Sequence, residues 1–169
     1  IQRIKKDLET YNPPMMITEF IEGREFTVGV LGNDDDIDVL PILEVDFSNL
    51  PDHLNNIYSF EVKVHYGDKT LFHVPARLKE ETKKKIENTA VKAYKALEMR
   101  DYARVDIRLK DGIPYVLEIN SLPGLMKGHS DITKMAEAAG IGYKGLIMKI
   151  VKNAIDRYGL YDKLEYKTV

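Results

Sequence analysis

Apolar and polar positions change period several times along this chain. Residues 1–10 mix charged and aliphatic side chains as the end of an amphipathic helix does, and Tyr11-Asn12-Pro13-Pro14 stops them. Two strand candidates follow, 15–20 and 25–31, joined by Ile21-Glu22-Gly23-Arg24. The polar cluster Gly32-Asn33-Asp34-Asp35-Asp36 predicts a turn into a third strand over 38–46. Residues 47–78 carry short apolar pieces with no sustained period. Over 78–100 the residues Ile86, Ala90, Ala93, Tyr94 and Leu97 recur along one stripe of a helix. A strand pair, 103–109 and 114–120, surrounds Lys110-Asp111-Gly112. Two helices close the chain, 131–139 ended by Gly140, and 143–158 turning Leu146, Ile147, Ile150, Val151, Ala154 and Ile155 inward. The order of strands, helix, strands and helices predicts an α+β fold, a largely antiparallel sheet with packed helices.

Composition changes this picture little. With 169 residues, 44% hydrophobic and 31% charged, the chain is long enough for one domain with its own core. Lys and Arg number 25 and Asp and Glu 27, a net charge of −2, which favours neither nucleic acid nor a membrane surface as partner. Lys83-Lys84-Lys85 reads as a solvated helix face, and Asp34-Asp35-Asp36 as a hairpin tip, since it lacks the spacing of a calcium loop. No cysteine is present, so disulfide and thiolate chemistry are excluded, in keeping with a reducing cytoplasm. No apolar run approaches the ~18–20 residues of a membrane span. The charged opening is not expected to be a signal peptide, and a start at Ile1 leads us to expect a piece of a longer protein.

Residues 115–124, YVLEINSLPG, contain the anomaly. An apolar strand carries Glu118 and Asn120, and burying an unpaired carboxylate is costly. Strand side chains alternate, so these two share a face, as do Arg104, Asp106 and Arg108 on the preceding strand. A two-residue turn at Asp111-Gly112 would pair Lys110 with Ile113 and set Asp106 and Glu118 on opposite faces. A three-residue turn with Gly112 left-handed would pair Leu109 with Ile113 and bring Asp106, Glu118 and Asn120 together beside Arg104. Two carboxylates and an amide in that arrangement suit a hard divalent cation. The alternative is that the acids pair with Arg104 and Arg108 on a solvated face. Pro123-Gly124 reads either as an ordinary turn or as a place where a ligand approaches the backbone.

Taken in order, TEFIEGREFTVGVL (18–31), LPILEV (40–45), YSFEVKV (58–64), VPARL (74–78), AYKALEMRDYARVDIRL (93–109), YVLEINSLPGL (115–125) and HSDITKMAEAAGIGYKGLI (129–147) resemble the C-terminal part of D-alanine–D-alanine ligases and their ATP-grasp relatives. The resemblance covers nearly the whole chain. It implies an ATP-grasp C-terminal lobe over 11–169, with 1–10 as the end of a helix from a preceding lobe that supplies the glycine-rich loop. The lobe alone is then expected not to turn over. The full enzyme would convert a carboxylate to an acyl phosphate with ATP and Mg²⁺ (or Mn²⁺). An amino-acid amine would then attack, with release of ADP and phosphate, as in peptidoglycan synthesis. A cytoplasmic location and a homodimer of the full-length chain are implied too.

Residue by residue, the resemblance makes Asp106, Glu118 and Asn120 the metal ligands, with Glu118 bridging two ions. Arg104 and Gly124 would bind the substrate carboxylate or the tetrahedral oxygen, and Ser130 the second substrate's carboxylate. Lys63 would meet the ATP phosphates, where spacing alone reads a surface lysine. The backbone at Glu19 and Ile21 would meet the adenine edge and Glu25 the ribose. Leu117, on the face opposite Glu118, would floor the adenine pocket or lie in plain core. Two departures stand out. Thr18 occupies a place where the family usually has an acid, and LMKGHSD (125–131) lengthens the approach to His129-Ser130 and brings in Asp131. A non-catalytic nucleotide-binding or interaction module of the same descent is the rival expectation.

Overall fold

A central strand explains the architecture. In β1 (Arg24–Asn33) Phe26, Val28 and Val30 are fully buried and Thr27 and Leu31 nearly so. Such a run fits a strand paired on both edges and covered on both faces. The computed structural model describes residues 2–11, 14–51, 57, 60–66 and 69–161. Its elements are α1 (Gln2–Tyr11), β1, β2 (Asp36–Val39), β3 (Leu43–Asp46), α2 (Phe60–His65), β4 (Leu71–His73), α3 (Glu80–Ala96), β5 (Tyr102–Lys110), β6 (Ile113–Asn120), α4 (Asp131–Ala138) and α5 (Gly142–Tyr158). Every pairing is antiparallel, in the order β4-β3-β1-β5-β6, and β2 joins β1 beyond β3. The expected α+β class is the class observed.

Alternation on β1 and β5 sorts the sheet into two faces. Phe26, Val28, Val30, Ala103, Val105 and Ile107 face α3, whose Ile86, Ala90 and Tyr94 complete that core. Tyr94 donates from its hydroxyl to the Gly32 carbonyl at 2.8 Å, and burial pushes its phenol up to about 12. The other face receives α4 and α5 through Ile132, Met135, Ala136 and Leu146, packed with Leu31, Leu40 and Leu43. Gly29 lets α4 come this close. A Cβ there would lie 2.9 Å from Leu40 Cδ1 and 3.2 Å from atoms of Ile132 and Met135. Gly29 pairs with Arg104, so the approach of α4 at that point brings its first residue beside Arg104.

Several elements differ from expectation. Residues 14–22 form no strand, and Met16, Ile17 and Phe20 are exposed, because no described strand lies beside them to take their backbone hydrogen bonds. The strand expected over 38–46 breaks into β2 and β3 at Leu40-Pro41-Ile42, where proline has no N–H to give the ladder. Both halves pair along the same edge of β1. The supposedly irregular 47–78 contains α2 and β4. Helix α3 ends at Ala96, with exposed Leu97 as its cap, because Glu98 turns left-handed at φ 51°. In α5 Leu146 is the fully buried position and Val151 is exposed, so the inward stripe is narrower than its spacing implies.

Candidate functional site

The β5–β6 hairpin joins both halves of the turn question. Its loop has two residues, Asp111 (φ 51°) and Gly112 (φ 74°), and Lys110 pairs with Ile113. That register alone would separate Asp106 from Glu118. A register shift then falls between Ile107, opposite Val116, and Asp106, opposite Glu118. Leu117 is the extra residue of a β-bulge, and beyond it Val105 meets Ile119 and Arg104 meets Asn120. The one-residue slip reverses the face of everything after it, so Asp106, Glu118 and Asn120 converge despite the short turn. Leu117, expected on the opposite face, is turned by the bulge onto the same cavity wall as Glu118.

Asp106 is the centre of the cluster. Its Oδ1 accepts from Arg104 Nε and from Thr27 Oγ1, each at 3.0 Å. Its Oδ2 accepts from Arg104 Nη2 at 2.8 Å and Asn120 Nδ2 at 3.2 Å. The same amide donates to Glu118 Oε1 at 3.0 Å. Burial raises the Asp106 pKa and the adjacent Glu118 carboxyl pushes the same way, against the lowering influence of Arg104 and Thr27. Burial opposes the charge on Arg104, but Asp106, then Asp131 and Glu118, outweigh it and hold its pKa above the ordinary value. Arg104 Nη1 lies 3.8 Å from Asp131 Oδ2, and Lys134 Nζ lies 3.1 Å from Asp131 Oδ1. Asp106 pairs with Arg104 as the alternative expected, but both are largely buried rather than solvated, Arg108 is buried against Glu25, and Glu118 is the exposed member.

Of these groups, Thr27, Arg104, Asp106, Glu118 and Asp131 line a cavity of about 430 Å³. Glu19, Phe20, Ile21, Glu25 and Leu117 line the same cavity. Residues expected to meet a base, a ribose and a cation therefore surround one space, of a size ordinary for a small-molecule site. Ser130 immediately precedes α4, and its Oγ accepts from the Met126 N–H at 3.0 Å. A Cβ on Gly124 would stand 3.0 Å from that Oγ, so glycine permits the close passage. Lys63 falls in α2, and its side chain lies outside the described residues. Spacing overlooked Thr27 and Arg108. The alternation Arg104-x-Asp106-x-Arg108 put Arg108 on the right face but gave no sign of its burial or its partner, Glu25, at 2.7 Å.

Among the described residues no group of three or more His, Cys, Asp or Glu is arranged to hold a metal ion. The set here is two carboxylates and an amide. It is a hard oxygen donor set, in which the buried Asp106 carboxylate and the nearby, exposed Glu118 carboxylate together favour added positive charge. The donors therefore fit a divalent cation of the magnesium type.

The family model described as D-ala D-ala ligase C-terminus matches residues 1–152. The chain belongs to that family. A D-alanine–D-alanine ligase from Fervidobacterium nodosum is 36% identical, over 91% of this chain and 46% of its own length. This D-alanine–D-alanine ligase-type chain spans about half the length of the curated relatives it matches. Among solved structures, the Bacillus anthracis D-alanine–D-alanine ligase complexed with ATP superposes with a TM-score of 0.70 at 30% identity, covering 92% of this chain and 47% of that one. The VanG D-Ala:D-Ser ligase from Enterococcus faecalis superposes at 0.60 with 26% identity, covering 80% and 37%. The fold is thus the ATP-grasp fold of these ligases, and no described helix is long and apolar enough to cross a membrane.

Proposed function

We propose that this chain is the C-terminal lobe, over 11–169, of an ATP-dependent carboxylate–amine ligase acting in the cytoplasm, with residues 1–10 ending a helix of the lobe before it. The observation that carries the reading is the bulge at Leu117, which brings Asp106, Glu118 and Asn120 together, with the two carboxylates lining the cavity that Glu19, Ile21 and Glu25 also line. Backbone at Glu19 and Ile21 receives the adenine edge over Leu117. The Glu25 carboxylate accepts from the ribose diol. Lys63 meets the phosphates. Asp106, Glu118 and Asn120 hold Mg²⁺ or Mn²⁺, which when bound offsets phosphate charge. The chain's own part is electrostatic: Arg104 and the Gly124 N–H stabilise the oxygen that gains charge as an amine attacks the acyl phosphate. Collapse of that intermediate leaves an amide or peptide bond, with ADP and phosphate released.

The acceptor subsite is the part in which this chain departs most. Asp131 sets a second carboxylate, after Asp106, 3.8 Å from Arg104 Nη1 and next to Ser130, where it competes with a substrate carboxylate for the guanidinium. A protein named D-Ala:D-Ser ligase shares this fold, so D-serine belongs beside D-alanine among the acceptors to be tried. ADP release by the full-length protein, with Mg²⁺ and a panel of D- and L-amino acids, tests the function. Release that depends on an added amine upholds the ligase reading and names the acceptor. Mg-ATP binding without release for any acceptor points to the non-catalytic module.

A further inference from the structure

Arg108 is the buried charge that the ligase chemistry leaves unused. Its relative exposure is 3%, and it sits on the site's face of β5 opposite Glu25 of β1. Nη2 donates to Glu25 Oε2 at 2.7 Å, and Nη1 donates to the carbonyl oxygens of Ile21 at 3.2 Å and Gly23 at 3.4 Å. The guanidinium lies 4.8 Å from the centroid of the Phe20 ring. Ile21, Gly23 and Phe20 belong to the stretch before β1 that makes no ladder. Gly23 passes so close to β5 that a Cβ would fall 2.1 Å from the Leu109 carbonyl oxygen. One planar fork thus ties a wall segment without ladder bonds and the Glu25 carboxylate to the rigid centre of the sheet. Stability alone explains this poorly, since an apolar residue of similar size fills a buried place without the desolvation of an ion.

We propose that Arg108 is a positioning residue for the nucleotide: it holds the 20–23 backbone and the Glu25 carboxylate in the orientation that receives base and ribose. This rests on the nucleotide reading above. Lysine carries the same charge but has one nitrogen, so it cannot reach Glu25 and the two carbonyls together as the fork does. The role therefore separates from mere filling of the core.

The test uses the full-length protein, with Arg108→Lys, Arg108→Met and Glu25→Gln, and reads KM for Mg-ATP, kcat and the thermal midpoint. Arg108→Lys is expected to keep the midpoint within a few degrees, raise KM for ATP about tenfold or more and leave kcat within about threefold. Glu25→Gln is expected to raise KM alone and to add less than its own factor in the Arg108→Lys background, because the two act as one unit. A folded Arg108→Lys with unchanged KM overturns the inference, as do strictly multiplicative effects. Failure of both Arg108 variants to fold also overturns it, since the role is then structural. Wild-type protein that neither binds nor turns over Mg-ATP overturns the nucleotide reading, and this inference with it. Wild-type turnover with an unmoved Arg108→Lys overturns this inference alone.

Discussion

The two faces of β1 and β5 are built from alternate residues of the same strands, yet they solve burial by opposite means. Toward α3 stand Phe26, Val28, Val30, Val105 and Ile107, all fully buried and apolar. Toward the cavity stand Glu25, Thr27, Arg104, Asp106 and Arg108, of which Thr27 and Arg108 are buried as deeply as core. The first face gains from area removed from water and has no directional demand. The second must satisfy each polar atom, and among the described residues no buried side-chain nitrogen or oxygen lacks a partner. Stability and chemistry are thereby separated by a single residue step along a strand. The apolar face tolerates change of shape at a cost in folding, whereas the charged face tolerates little change of geometry.

The largest break in that comparison comes from Asp106→Asn. It removes the charge at the centre of the cluster, where one carboxylate accepts from Arg104, Thr27 and Asn120. Loss of Mg²⁺-dependent nucleotide binding and of turnover in the full-length protein is expected, read by calorimetry and ADP release. Retained activity would show that Asp106 is not what assembles the site. Next, Glu118→Gln should cost about a thousandfold or more in turnover while moving the thermal midpoint little, since it removes a charge at an exposed site position. A large fall in stability with activity intact would invert the separation of the two faces.

On the opposite face, Phe26→Ala should cost about 3–5 kcal/mol in urea unfolding by opening a cavity beneath α3. A site variant that destabilised as strongly would erase the contrast. The smallest effect concerns Asp46, at the β3–β4 edge. Its hydrogen bond with His73, followed by those with Ser48, holds its carboxyl down at about 2. A depressed carboxyl stabilises above its unfolded pKa, and that contribution is lost as pH falls through the ordinary carboxylate range toward 2. Asp46→Asn should therefore flatten slightly the loss of urea midpoint between about pH 5 and about pH 3. An unchanged slope would mean that the pair contributes nothing measurable.

The sequence by itself determined the α+β order, the stripe of α3, the alternation that puts Arg104, Asp106 and Arg108 together, and the identity of Glu118 and Asn120 as the misfit in an apolar strand. Those are local properties with a period of two or 3.6 residues, visible in one segment at a time. The tertiary structure decided what depends on two segments at once. Leu117 bulges only relative to β5, and the bulge reconciled a two-residue turn with a cluster that spacing alone would have assigned to a three-residue turn. Residues 15–20 looked like a strand but have no described neighbour to pair with, and 38–46 looked like one strand but had to break where Pro41 offers no N–H. Nothing in the sequence marks Arg108 as buried, and it is so because Glu25, Ile21 and Gly23 come from elsewhere to receive its donors. Side-chain type and period belong to the strand that carries them, whereas register, burial and partners exist only between strands.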